Sequence, residues 1–222
     1  MQIKSFACGY CTTPLTNDSR LVNACPASSS SDFCPARFCN RLCLARSAKT
    51  HPLLCPAQNP ASVPLLNWAK ESKWMALNAL AQCTSRILLA NQAGDESLKG
   101  DWLIVKGFAT LGMEERFLFS FSSYVNCPLS IISMQEKLIL NERSVDLEST
   151  RVSWKKAYSL YLQAFKEPKT IQEQKKLAKL LKKPLPADVE HDLFDYSLGF
   201  LRTLGMVSLS KYRSHSILIL FL

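Results

Sequence analysis

Phe38-Cys39-Asn40-Arg41-Leu42-Cys43-Leu44, followed by His51-Pro52-Leu53-Leu54-Cys55-Pro56, decides how the N-terminal quarter of this chain folds. Cys39/Cys43 and His51/Cys55 are each spaced i, i+4, so one helical turn carries both members of a pair on the same face. Working outward, Cys8-Gly9-Tyr10-Cys11 has the C-x2-C spacing that lets two thiolates from one tight turn reach the same ion. Cys25 and Cys34 complete the set. Cys8, Cys11, Cys25, Cys34, Cys39, Cys43, His51 and Cys55 are eight candidate ligands, the number two closed tetrahedral zinc sites require. Thiolate and imidazole are donors that zinc prefers, and closure by four protein ligands points to structural metal. A single zinc among ordinary structural thiols and a metal-free disulfide knot are the competing readings.

The remainder of the composition sets bounds. The chain has 222 residues, 47% of them hydrophobic, enough for a buried core and against wholesale disorder. Its formal charge of +9 suits an acidic partner such as chromatin or nucleic acid without demanding one. Seven of the nine cysteines lie in residues 8–55, a distribution that favours metal binding in a reducing compartment over a disulfide framework. Cys83 and Cys127 sit among apolar neighbours and read as buried thiols. Met1–Ala7 lacks the apolar run of a secretory signal. The apolar tail Ile217–Leu222 falls far short of the roughly 20 helical residues that cross a bilayer. The expectation is a soluble nuclear or cytoplasmic protein with no membrane partner.

Beyond Cys55 the pattern becomes helical. Pro56, Pro60 and Pro64 mark a boundary, and Trp74, Leu77, Ala81 and Leu88 form one stripe of a long helix from about Val63 to Asn91. Gly94 and Gly100 break that pattern, and Trp102–Val105 reads equally as a buried strand or a helix. Ser120–Ser133 gives no clear signal. Trp154, Tyr158, Tyr161 and Phe165 make an aromatic core face on a helix from about Thr150, ended by Pro168. Residues 166–183 carry seven lysines against Glu167 and Glu173, with Leu177, Leu180 and Leu181 between them. That is an amphipathic helix with a basic outer face, and the lack of interleaved aromatic residues argues against nucleic-acid binding. Asp188 reads as an N-cap, and Val189, Leu193, Tyr196, Phe200 and Leu204 mark a last helix closed by Gly205.

The cysteine pattern resembles the MYND zinc finger, on Cys8/Cys11, on Phe38-Cys39-Asn40-Arg41-Leu42-Cys43-Leu44 and on His51-x3-Cys55-Pro56. The resemblance implies interleaved pairing. Cys8, Cys11, Cys39 and Cys43 would hold one zinc, and Cys25, Cys34, His51 and Cys55 the second. The family's second pair is C-x2-C, whereas eight residues including Ser28–Ser31 separate Cys25 from Cys34 here. Such an insert can loop out at small entropic cost.

The wider layout is similar to fungal SET-domain protein lysine methyltransferases in which a MYND finger splits the SET domain. Leu65-Leu66-Asn67-Trp68, Arg151-Val152-Ser153-Trp154 and the stretch from Asp195-Tyr196 through Phe200 to Gly205-Met206 carry that likeness. It implies a mainly α chain: a small irregular MYND-like module over 1–60, a helical inter-SET region over 61–209 and a divergent tail over 210–222. The family uses S-adenosylmethionine and acts on histones and other proteins. Neither its Asn-His-Ser-Cys motif nor a G-x-G segment is present in this sequence, so no residue is assigned a catalytic or cofactor-binding role. The catalytic SET β-core is expected to be missing, through truncation or mis-splicing near residue 210, with S-adenosylmethionine confined to a full-length relative. The implied partner is a protein or peptide, histone or chromatin included. A stand-alone interaction module and a basic nucleic-acid-binding zinc protein are the alternatives.

Overall fold

The computed structural model describes residues 7–15, 22–108 and 151–201. Within them the chain is mainly helical, and its one sheet is a two-stranded antiparallel pair, β1 (Asn23–Ala24) with β2 (Arg37–Phe38), in the register Asn23 opposite Phe38. The helices are α1 (Arg41–Ser47), α2 (His51–Leu54), α3 (Val63–Glu71), α4 (Met75–Ala93), α5 (Asp95–Phe108), α6 (151–165), α7 (Ile171–Leu180) and α8 (Ala187–Phe194). A turn of 3-10 helix (Pro60–Ser62) leads into α3, and a π-helical turn (Tyr196–Leu201) follows α8.

Two apolar clusters result. The smaller gathers Cys8, Cys25, Cys34, Cys43, Cys55 and Ala57 around Phe38, which is fully buried. The larger is built on Leu53, Leu65, Leu77, Leu80 and Ile87 with Trp154, Tyr161, Phe165, Leu193 and Phe200. The aromatic stripe of α6 is core: Tyr161 meets Phe165, Phe194 and Phe200 with ring centroids 5.4, 5.7 and 5.4 Å away. Its hydroxyl is hydrogen-bonded to Thr84 on α4 (3.0 Å) and donates to the Leu193 carbonyl (3.2 Å), so a buried polar tip is paired rather than stranded.

Several helix boundaries differ from the sequence reading. The long helix expected over Val63–Asn91 is two, α3 and α4, parted at Ser72–Trp74. Trp74 N–H reaches Ala69 O and Lys73 N–H reaches Lys70 O, the paired bonds of a Schellman C-cap, with Lys73 at φ 53° where glycine is usual. A lysine there gave no sign of a stop. Gly94 does end α4, at φ 137°, and its carbonyl accepts from Leu98 N–H to begin α5. Gly100, expected to break structure, lies inside α5, as do Trp102–Val105. Burial of Leu98 and Val105, two turns apart on α5, outweighs the roughly 1 kcal/mol a helical glycine costs. Pro186, not Asp188, is the N-cap of α8; Asp188 occupies the first turn.

The last helix stops at Phe194 instead of continuing through Tyr196 and Phe200. Asp195 turns extended (ψ 139°) after Phe194, and its carboxylate accepts from Ser197 N–H to start the π-helical turn. Gly199 packs so closely there that a Cβ would strike the Asp192 and Leu193 carbonyls. Thr150, Ser120–Ser133, Cys127, Leu204, Gly205 and the tail 210–222 lie outside the described residues. Among the described helices none is long and apolar enough to cross a membrane.

Candidate metal centre

Each ligand pair is positioned by a distinct piece of local structure. Cys8 and Cys11 flank a turn in which Thr12 N–H donates to Cys8 O (3.1 Å) and Cys8 N–H to Thr13 O (2.8 Å). Gly9 N–H donates to Arg37 O (2.8 Å), docking this turn on β2. Cys39 leaves β2 directly after Phe38, and its N–H points at the Cys8 sulfur (3.4 Å). Asn40 is the N-cap of α1: its side-chain oxygen accepts from Cys43 N–H at 2.8 Å. That cap fixes the first turn of α1 and swings the Cys43 thiol toward Cys39, 3.5 Å away.

Cys25 follows β1, and the residues up to Cys34 fold back as a compact loop. Ser29 N–H donates to Asp32 O (3.0 Å), Asp32 N–H donates to Ser29 Oγ (3.0 Å), and Cys34 N–H donates to Ser28 Oγ (3.0 Å). The serines that lengthen the insert are therefore the groups that return Cys34 beside Cys25. His51 opens α2 and Cys55 closes it, with the four-residue helix between them.

The ligand atoms gather in two groups, Cys8/Cys11/Cys39/Cys43 and Cys25/Cys34/His51/Cys55, and within each all lie within 4.8 Å of one another. These are the eight residues singled out in the sequence, in interleaved order. Cys11 and Cys39 sulfurs are 3.6 Å apart and Cys25 and Cys55 sulfurs 3.7 Å. His51 Nε2 lies 3.3 Å from the Cys25 sulfur and 3.6 Å from that of Cys34. A zinc–sulfur bond of about 2.3 Å puts neighbouring ligands of a tetrahedron roughly 3.8 Å apart, so both groups fit zinc. A disulfide needs about 2.05 Å, and the cysteines are free. Both sites could hold a zinc ion, the first through four thiolates and the second through three thiolates and an imidazole.

The thiol chemistry is consistent with metal uptake. Hydrogen bonding from the Cys34 thiol pulls Cys55 down to about 4 against its own burial, with His51 helping, while that bond and burial hold Cys34 strongly protonated. The Thr13 hydroxyl and backbone lower Cys11 to about 6, and burial pushes Cys43 up to about 12. Each group thus pairs a ready thiolate with a thiol whose proton a metal must displace.

Two residues outside the ligand set tie the sites together and to the helices. Phe38 packs its ring edge-on against the His51 imidazole (centroids 5.5 Å, 80°), filling the space between the two groups. Asn59, fully buried, donates from Nδ2 to Leu53 O (2.8 Å) and to Ala164 O on α6 (3.0 Å). Neither role was read from the sequence. The Asn40 cap was not read from the sequence either, although an asparagine just before a helical turn is the usual signal for one, and nothing local marks Asn59, whose second partner is 105 residues away.

No family model, curated protein or solved structure matches the chain. Fold and site together define a mainly helical protein with two four-ligand cysteine/histidine groups that could bind zinc.

Proposed function

We propose that residues 1–60 are a two-zinc, MYND-type finger that docks a protein or peptide segment. With its helical region over 61–209, the finger belongs to the SET class of protein-lysine methyltransferases. The observation that supports the finger reading is the alternation of ligand pairs along the chain. Cys8/Cys11 converge with Cys39/Cys43 across the intervening Cys25/Cys34, which converge in turn with His51/Cys55. Interleaving sets one pair of each group within the chain segment that the other group closes, so the two sites constrain overlapping stretches of chain. The metal would act as a cross-link, since four protein ligands leave no open position for a reacting water or substrate. The SET assignment rests on the sequence resemblance over residues 61–209, and methyl transfer is assigned to no residue of this chain.

The zinc reading is tested by elemental analysis of the purified protein, with two zinc ions per chain expected. Cys39→Ser and His51→Ala should each lower that content, and a metal-free, fully folded wild type would overturn the finger. Interaction is tested by capture of candidate histone and proline-containing peptides. Capture should be lost with Cys39→Ser and on chelation, and capture indifferent to chelation counts against the proposal. S-adenosylmethionine titrated calorimetrically into this chain should give no binding heat. Tight binding would show that this chain carries a cofactor pocket of its own.

A further inference from the structure

The outward face of α7 is a rigid cationic platform, and its chemistry differs from that of the metal sites. Leu177 is buried, fixing one side of the helix to the core. On the opposite side Ile171, Lys175 and Lys179 follow at i, i+4 and i+8, with Ala178 beside them, all exposed. Lys169 precedes the helix and Lys182 and Lys183 follow it, also exposed. None of these five lysines makes an ion pair among the described residues. The acidic residues of the run leave them uncompensated: Glu173 spends its carboxylate on the Thr170 N–H in a capping box, and Glu167 lies before Pro168.

The platform is held at both ends and in the middle. The Thr170/Glu173 box fixes its first turn. Lys176 donates to Asp32 (2.9 Å) and to Ala57 O (3.1 Å), tying the helix to the serine loop of the second metal site. Gln92 Oε1 accepts from Lys182 N–H and Lys183 N–H (2.9 Å each), while Asn91 and Gln92 donate to Lys183 O. A surface ordered beforehand loses less entropy on binding than a flexible lysine-rich tail would.

We propose that this face binds an acidic segment of a partner protein, one in which aspartate or glutamate alternates with an apolar residue. Charge complementarity sets the sign of the partner, and Ile171, 69% exposed amid the lysines, sets its class. An apolar side chain gains nothing on a phosphate backbone but can pack against one on a peptide. Nucleic acid is disfavoured further, because residues 166–183 contain no arginine to bridge phosphates and no aromatic to stack on bases. An anionic membrane would need a broad apolar face to insert, and the apolar face of α7 is committed to the core through Leu177. The inference rests on α7 and is independent of the MYND and SET assignments.

The test is fluorescence anisotropy with the full chain, zinc-loaded, at low and at physiological ionic strength. The probe is a labelled peptide alternating Glu and Leu, compared with its Gln-for-Glu counterpart and with an oligothymidine of equal charge. The Glu peptide should bind with an affinity that falls with salt, and the Gln peptide should not bind. Combined Lys175→Glu, Lys179→Glu and Lys183→Glu should weaken binding by roughly tenfold or more. Ile171→Ser should weaken the Glu peptide while leaving any oligonucleotide binding unchanged. The milder Lys179→Gln should show an intermediate loss, covering the case in which triple reversal disturbs folding. Tighter binding of the oligonucleotide than of the Glu peptide overturns the inference, as does binding insensitive to the lysine variants. Zinc content of every variant is measured in parallel, so loss of a metal site is separated from loss of the platform.

Discussion

Replacing Asn59 by alanine should destabilise the protein out of proportion to the atoms removed. Asn59 acts as a shared cap for two helix ends. At the end of α6 the residue four beyond Ala164 is Pro168, which has no N–H, so the Ala164 carbonyl lacks its helical donor. At the end of α2 the Leu53 carbonyl faces the same position. The Asn59 amide nitrogen supplies both, at 3.0 and 2.8 Å, and its own N–H is bonded to Cys55 O, so the residue sits immediately behind the last metal ligand. Removing the amide leaves two buried carbonyls unpaired, each costing about 1–3 kcal/mol. Asn59 Oδ1 finds no donor among the described residues, so its deletion returns about 1 kcal/mol. The net loss should be about 3 kcal/mol, equivalent to a fall in Tm of about 6–12 °C for a chain of this size. Asn59→Asp should be worse, because it keeps the shape but aims a carboxylate at two carbonyl oxygens. The assay is thermal and denaturant unfolding at fixed, saturating zinc, with zinc content checked after each preparation. A loss below about 1 kcal/mol for Asn59→Ala, with zinc retained, would refute the shared-cap argument.

Other consequences follow from backbone strain and thiol chemistry. Lys73 sits in the left-handed region, so Lys73→Gly should raise stability by about 0.5–1 kcal/mol in the same unfolding assay. Gly94, at φ 137° with open space where a Cβ would lie, should lose about 1–3 kcal/mol on Gly94→Ala through backbone strain alone. Zinc loading should release protons at pH 7, because Cys34 and Cys43 are held protonated above that pH while zinc takes only thiolates. Affinity should therefore fall as pH falls, and calorimetry in buffers of different ionisation enthalpy should show at least one proton released per site; a buffer-independent heat would contradict this. Cys83, buried on α4 with its thiol pushed up to about 12, should resist alkylation at pH 8 in the folded zinc form and react only on unfolding. Mass spectrometry of iodoacetamide-treated protein checks this.

The local spacing of Cys8, Cys11, Cys39, Cys43, His51 and Cys55 was enough to specify which side chains could meet an ion, because each pair is formed within one turn and needs no distant partner. The aromatic stripe of α6 was legible for the same reason: a 3.6-residue period is a local property. Cys25 and Cys34, with eight residues between them, completed the candidate set by count and were given their partners only by the resemblance. Their convergence goes with hydrogen bonds from Cys34 N–H to Ser28 Oγ and between Ser29 and Asp32, which no spacing rule encodes. The break at Lys73 and the helical setting of Gly100 went the other way from residue preference, since packing of α3, α4 and α5 outweighs about 1 kcal/mol of local cost. Asn59, Phe38 and the Lys176 tether belong wholly to the tertiary structure. Each joins segments far apart in sequence, and a contact of that kind exists only once the chain has closed around it. The sequence by itself thus marked the candidate ligands and the helical character of the chain. The tertiary structure decided how the side chains of the two groups converge, and that α6 and α7 are fastened to the segments that carry them.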